Sequence, residues 1–255
     1  MEGFCPLASG SKGNCLYFGT KKIKLLIDAG ISCKAIEMRL AELGVRLSEI
    51  DAVLISHEHG DHIRGLDRLV KAFNIPIFAN SETAKAICEG IKTRPRFKIF
   101  STGETFEFGD VAIHPFSVQH DTLDPVAFTL QVGGIKIGVC SDLGFVTTLV
   151  TFHLQQCDYL YIEANHEPAK VYACSRSFTY KQRVLGNQGH LSNDSCAALV
   201  KEVLHGGLKH IYLAHLSLEC NHPALALKKV SQQITGDTTV SIAYQDKISD
   251  CVSFG

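Results

Sequence analysis

Short apolar runs parted by small-residue turns alternate along this chain with stretches whose apolar residues recur at helical spacing. Residues 15–18 and 23–27 read as strands joined by the Gly19-Thr20-Lys21-Lys22 turn, and 33–43 as a helix stopped by Gly44. The run at 51–55 reads as a buried strand, 63–73 as a helix of alternating apolar and basic positions, 75–79 as a strand and 82–88 as a short helix. From 96 to 140 the pattern turns to strands, at 105–108, 111–118, 127–132 and 135–139, with Gly133-Gly134 as a hairpin signal. A weak helical pattern covers 143–156 and a short strand 159–162. Ser192-Asn193-Asp194 offers N-caps for a helix over 195–204, ended by Gly206-Gly207. A strand at 210–214, a helix over 223–234 opened by Pro223 and a last strand at 238–243 complete the chain. Two β-rich batches, each followed by helices, with no linker between them, predict an α/β fold. The expected arrangement is one domain over residues 1–255, a four-layer αββα sandwich of two similar halves.

One turn in this pattern carries chemistry. Ser56-His57-Glu58-His59-Gly60-Asp61-His62 lies between the strand at 51–55 and the helix after it. Neutral imidazole and ionised carboxylate are both ready ligands for a divalent metal near neutral pH, and loops carry function on a rigid frame. Three later strands end in residues of the same type: His120 after 111–118, Asp142 after 135–139, and His215 after 210–214.

Composition narrows the classes. The chain of 255 residues is 45% hydrophobic and 20% charged, with a net charge of −1, so no global basic field draws it to nucleic acid. Phosphate recognition would have to be local. No apolar run approaches the roughly 20 residues that span a bilayer, and Met1-Glu2-Gly3-Phe4 lacks the start of a signal peptide. The 10 cysteines form no C-x-x-C pair, so they read as reduced thiols in a cytoplasmic protein.

The spacing His57-x-His59-x-Asp61-His62, with Asp28, His120, Asp142 and His215, resembles the five signature motifs of metallo-β-lactamase-fold hydrolases over nearly the whole chain. Longer stretches look similar to the YycJ/WalJ-type subfamily: residues 6–14, 57–65, His120-Asp121-Thr122-x-Asp124-Pro125, Glu163-Ala164-Asn165-His166, and residues 185–193. Ala127 departs from that pattern, where glycine is expected. The subfamily is associated with bacterial nucleases acting on DNA from the 5′ end. The resemblance implies two metal ions, zinc or manganese: His57, His59 and His120 on the first, Asp61, His62 and His215 on the second, and Asp142 bridging. Asp28 would orient these ligands without binding metal.

Two cations hold a water, acidify it to a bridging hydroxide, and neutralise charge on the entering and leaving oxygens of a phosphodiester. The departing alkoxide then needs a proton. His190 is the candidate acid, with Glu163 holding its ring, an arrangement similar to that of tRNA 3′-processing endonucleases of the same fold. His190, Glu163 and Asp61 are thus the expected catalytic residues. The rival assignment makes His190 a ligand and His215 the acid. Ser11, Lys12 and Asn14, in a small polar turn, offer a phosphate cradle, although the same turn suits tight hairpin geometry. Arg176 and Arg183, among Tyr172, Phe178 and Tyr180, offer charge and stacking for single-stranded nucleic acid, or else form a solvated insertion. The expected partner is therefore nucleic acid, DNA before RNA, with no membrane. Two other functions share these ligands: a thioester or other small-molecule metallohydrolase, and a non-catalytic nucleic-acid-binding protein.

Overall fold

Strands buried on both faces carry no polar alternation, and the first strands show it. β1 (Gly3–Ala8) and β2 (Cys15–Gly19) are buried throughout their length. They pair antiparallel with an irregularity between Pro6 and Ala8, where a residue without an N–H is tolerated. That proline hides β1 from a pattern reading. The computed structural model describes residues 1–254, which divide into two compact units. The first comprises Met1–Val111, Thr122–Asp124 and the residues from Ala243 on; the second comprises Ala112–Asp121 and Pro125–Ile242.

In the first unit, β3 (Lys24–Ile27), β4 (Ala52–Leu54), β5 (Ile77–Ala79) and β6 (Phe97–Ile99) continue the sheet in parallel after the antiparallel β1-β2-β3 run. β7 (Phe106–Phe108) comes next in the chain but is not a strand of this sheet; Phe106 stacks on Phe78 and Phe100. The β3–β4 register sets Ile27 opposite Leu54, and the Asp28 N–H donates to the Leu54 carbonyl at 2.8 Å. Asp28 therefore emerges beside the residues that follow β4. Helices α1 (Cys33–Glu42), α2 (Gly60–Ile63), α3 (Leu66–Phe73) and α4 (Ser81–Gly90) complete the unit. The helix expected over 63–73 is thus broken. Gly65 N–H donates to the Ala29 carbonyl at 2.8 Å, and a Cβ at Gly65 would meet the carbonyl oxygens of Ile31 and Ala29. The break lets two backbones pass in contact. Tyr17, Leu26, Val53, Leu66, Leu69 and Ile77 form the centre of the core.

The second unit repeats the scheme. β8 (Val111–Ser117), β9 (Val126–Val132) and β10 (Ile135–Cys140) are antiparallel; β11 (Tyr159–Glu163), β12 (His210–Ala214) and β13 (Thr239–Ile242) extend β10 in parallel. α5 (Thr148–Leu154) is shorter than the 143–156 pattern because it starts only after the Thr147 cap, whose side chain accepts from Val150 N–H. α6 (Pro168–Ala173) and α7 (Phe178–Leu185) occupy a stretch with no helical reading, since Val171 and Val184 are their only fully buried residues. α8 (Asn193–Val203) uses Ser192 as its cap, and α9 (Pro223–Ser231) opens on its proline.

The chain then returns to the first unit, where β14 (Val252–Ser253) pairs antiparallel with β1, Gly3 opposite Ser253. A disulfide joins Cys5 to Cys251 at this edge, so the expectation of ten reduced thiols is corrected; the other eight are free. No helix among the described residues is long and apolar enough to cross a membrane.

Candidate metal-dependent hydrolase site

The first unit arranges the metal turn around one buried carboxylate. Asp28 is 2% exposed and accepts from Ser56 N–H at 2.9 Å, from the Ser56 hydroxyl at 2.9 Å and from His62 Nδ1 at 2.8 Å. Ser56 Oγ also lies 3.0 Å from His57 Nδ1, so one hydroxyl ties the carboxylate to two imidazoles. His59 caps α2, with its ring 4.9 Å from that of His57, and Asp61 and His62 sit in the helix itself. Sequence reasoning passed over Ser56; its place between a buried strand and the first histidine was the available signal.

The expected phosphate turn has a mixed fate. Asn14 is fully buried, and its Nδ2 lies 2.9 Å from His62 Nε2 and 3.4 Å from Asp61 Oδ2. Its backbone N–H donates to the Asp61 carbonyl at 2.7 Å. Asn14 thus supports the metal turn and is too enclosed to meet a phosphate from solvent. Ser11 and Lys12 are exposed, in a turn clamped by Gln245, which accepts from Lys12 N–H at 2.7 Å and donates to the Gly13 carbonyl at 2.9 Å. The residues of the Thr122-x-Asp124 segment are fastened inside the first unit: Asn80 Nδ2 donates to the Asp124 carbonyl at 2.7 Å, and Glu58 Oε1 accepts from Leu123 N–H at 2.9 Å.

The second unit has its own buried carboxylate, and it is more heavily used. Glu163 is fully buried at the end of β11; Oε1 accepts from His190 Nδ1 and from His215 Nδ1, each at 2.8 Å. Oε2 accepts from the N–H groups of Leu143 at 2.8 Å and Leu191 at 2.9 Å. Burial pushes this carboxyl up, but the His190 and His215 imidazoles outweigh it and hold the group below the usual carboxylate range. Asp142 Oδ1 lies 3.3 Å from His215 Nδ1 and 3.7 Å from both His190 Nδ1 and His120 Nε2. His120 Nδ1 donates to the Gly189 carbonyl at 3.0 Å, and burial keeps its imidazole below the ordinary histidine value, against the opposing pull of Asp142. Asp142, Glu163, His190 and His215 each offer one donor atom within 4.8 Å of the others. This grouping keeps both His190 and His215 within reach of a cation.

Three of these residues share a strained backbone. Asp28, Asp142 and His215 have φ of 61°, 57° and 53°. Left-handed geometry costs a residue with a Cβ roughly 1–3 kcal/mol and concentrates at functional sites. Each lies just past a strand end, where the reversal turns the side chain out of the sheet. An asparagine network, which pattern reasoning also missed, fixes the loops behind them. Asn165 Nδ2 donates to the His215 carbonyl at 2.7 Å, and Asn193 and Asn221 exchange side-chain bonds of 2.9 Å. The expected substrate arginines are already paired: Arg183 grips Asp121 through Nε at 2.5 Å and Nη2 at 3.2 Å, and Arg176 Nε binds Glu219 at 2.8 Å. Ala127 is 2% exposed within β9, so its methyl packs in the sheet.

The residues present suit divalent cations. His215 directs Nδ1 to a carboxylate, His120 to a carbonyl and His57 to a hydroxyl, which turns Nε2 toward a cation in each, the usual support for metal-binding histidine. His62 also directs Nδ1 to a carboxylate, but its Nε2 lies 2.9 Å from Asn14 Nδ2, a contact that a cation there would replace.

Comparison with known proteins agrees with this chemistry. Residues 24–215 match the Beta-lactamase superfamily domain. The chain is 36% identical over 232 residues to Exodeoxyribonuclease YycJ of Bacillus anthracis, covering 90% of this chain and 88% of that one. The chain belongs to the β-lactamase superfamily and, within it, to the YycJ/WalJ family of hydrolases. Exodeoxyribonuclease WalJ of Streptococcus pneumoniae is likewise 36% identical over 244 residues, 94% of this chain and 91% of that one. Among solved structures, the metallo-β-lactamase fold protein YhfI from Bacillus subtilis superposes with a TM-score of 0.71 at 19% identity, covering 98% and 99% of the two chains. This member of the YycJ/WalJ family therefore has the metallo-β-lactamase fold, as the resemblance of its His57–His62, Asp28, His120, Asp142 and His215 motifs implied.

Proposed function

We propose that this protein is a metal-dependent exonuclease that digests DNA from its 5′ end in the cytoplasm, with residues 1–255 serving as one hydrolase domain. The observation that carries the mechanism is the Glu163–His190 pair, 2.8 Å between Oε1 and Nδ1. Both histidines on Glu163 are held through Nδ1, but His190 retains 17% side-chain exposure against 2% for His215. The greater exposure supports His190 as the residue that meets a substrate, and the enclosure of His215 supports it as a ligand.

The proposed ligands are His57, His59, Asp61, His62, His120, Asp142 and His215, for two divalent ions, zinc or manganese. Such ions, when bound, acidify water and neutralise charge on a phosphodiester. In that reaction the oxygen of water bonds to phosphorus and the P–O3′ bond breaks. His190, protonated and held by Glu163, gives its Nε2 proton to the departing 3′-oxygen, so no free alkoxide has to form. The 5′-terminal nucleotide leaves and the new 5′-phosphate stays on the shortened strand. Asp28, Ser56 and Asn14 keep the metal turn in position. The 36% identity to two exodeoxyribonucleases supports DNA over RNA.

The test is digestion of end-labelled single- and double-stranded DNA and RNA with Mn²⁺ or Zn²⁺. Mononucleotides should appear from the 5′ label at the earliest times, whereas internal fragments or no products would overturn the reading. His59→Ala and Asp142→Ala should abolish cleavage with the fold retained. His190→Ala should slow it by about 10²–10⁴-fold with the metal content unchanged; loss of one ion would make His190 the ligand and His215 the acid.

A further inference from the structure

His190 does not stand against open solvent. A cavity of about 540 Å³ in the second unit is lined by His190 together with Phe145, Val146, His166, Leu185 and Leu199. Its volume falls within the roughly 300–1,000 Å³ of small-molecule pockets. Two features of the lining ask for a particular kind of occupant. Phe145 is a large apolar ring left 47% exposed. His166 is 2% exposed, yet its Nδ1 is buried with no hydrogen-bond partner. A buried polar atom left unpaired is costly, so a turn of the ring that brings Nδ1 to a donor or acceptor on a ligand in the cavity is favoured. Burial holds the His166 imidazole down to about 4, so it meets that ligand uncharged. The walls are set by close backbone approach: a Cβ at Gly144 would run into the Asn187 carbonyl and the Gly189 nitrogen. That backbone wall is thus set without waiting for a ligand.

An aromatic face beside a neutral polar atom suits a heteroaromatic ring with a hydrogen-bonding edge. We propose that this cavity is the subsite for the nucleobase of the 5′-terminal nucleotide, which stacks on Phe145 and hydrogen-bonds to His166 Nδ1. The assignment rests on the exonuclease reading, because the oxygen that His190 protonates belongs to the nucleotide being released. The base of that nucleotide then sits on the side of His190 where the cavity opens. Base–aromatic stacking tolerates any base, since every base has a π-face, so the subsite registers that a base is present and gives little preference among the four.

The experiment compares two otherwise identical DNA strands, one carrying a normal 5′-terminal nucleotide and one an abasic residue there. The wild-type enzyme should show kcat/KM roughly tenfold lower on the abasic strand, the size expected from one lost stacking contact. Phe145→Ala and His166→Ala should lower kcat/KM on the normal strand toward the abasic value, chiefly through KM, and leave the abasic rate unchanged. Phe145→Trp should restore the discrimination. Equal rates of the wild type on both strands, or variants that slow both strands alike, would overturn the subsite while the exonuclease reading stands. No cleavage of either strand by the wild type would overturn both.

Discussion

Each unit of the molecule gathers its chemistry around one buried carboxylate, and the two are used differently. Asp28 holds one imidazole, one hydroxyl and one backbone N–H. Glu163 holds two imidazoles and two backbone N–H groups. Asp28 serves a turn whose candidate metal-binding side chains lie within six consecutive positions, so its task is to fix the orientation of a local motif. Glu163 joins two side chains and two backbone N–H groups brought from three separate loops, and its two imidazoles differ in exposure, 17% for His190 and 2% for His215. One carboxylate thus sets both a candidate ligand and a candidate acid. In the proposed mechanism the first unit supplies geometry, and the second couples geometry to proton transfer.

That difference is open to direct attack. Glu163→Gln keeps the shape but gives up the negative charge that faces His190 and His215, and its amide can accept fewer of the four hydrogen bonds. It should lower kcat by about 10²–10⁴-fold, and added metal should not restore the rate. Asp28→Asn should instead weaken metal binding by about 10–100-fold and recover much of its kcat at saturating metal. Metal titrations of activity separate the two cases. If Glu163→Gln is rescued by excess metal as Asp28→Asn is, both carboxylates serve ligands alone and His190 is not the acid.

The same contrast explains what could be read from the chain. The metal turn was legible because its residues are contiguous and lie between a buried strand and a helix. His120, Asp142 and His215 were legible as strand-end residues, but their left-handed φ values at 142 and 215, and at Asp28, are set by tertiary context that no local pattern reports. Glu163 emerged from family likeness; that it binds two histidines at once did not. Asn14 illustrates the opposite error. A small polar turn suggested phosphate contact, whereas the fold buries Asn14 completely to brace His62 and Asp61. α6 and α7 escaped notice because they bury one residue each, too few to impose a helical period. β1 escaped because its proline argues against a strand.

A smaller effect concerns stability, and it again belongs to the second unit. His166 has its pKa lowered from 6.5 to about 4, mainly by burial. The unfolded chain therefore binds a proton between these values that the folded chain refuses. Stability from this group is present above about 6.5 and is lost as pH falls toward about 4. The urea midpoint should fall between pH 7 and pH 5, and His166→Gln, which cannot take up that proton, should flatten part of the slope. An unchanged slope in the variant would show that other groups carry the acid sensitivity.

The smallest effect tests how far the second unit's role extends beyond its histidines. Arg176 lies on the surface between α6 and α7, paired with Glu219 at 2.8 Å and set over the Tyr180 ring at 5.4 Å. Exposed pairs of this kind contribute little to stability, so Arg176→Ala should leave the urea midpoint essentially where it is. If the arginine leaves Glu219 for a phosphate when a strand binds, the logarithmic salt dependence of affinity for single-stranded DNA should become shallower by about 0.7. Glu219→Gln, which removes the competing carboxylate, should then tighten binding at low salt. If neither variant alters affinity or its salt dependence, Arg176 belongs to a surface ion pair, and recognition of the strand by this unit is confined to the cavity beside His190.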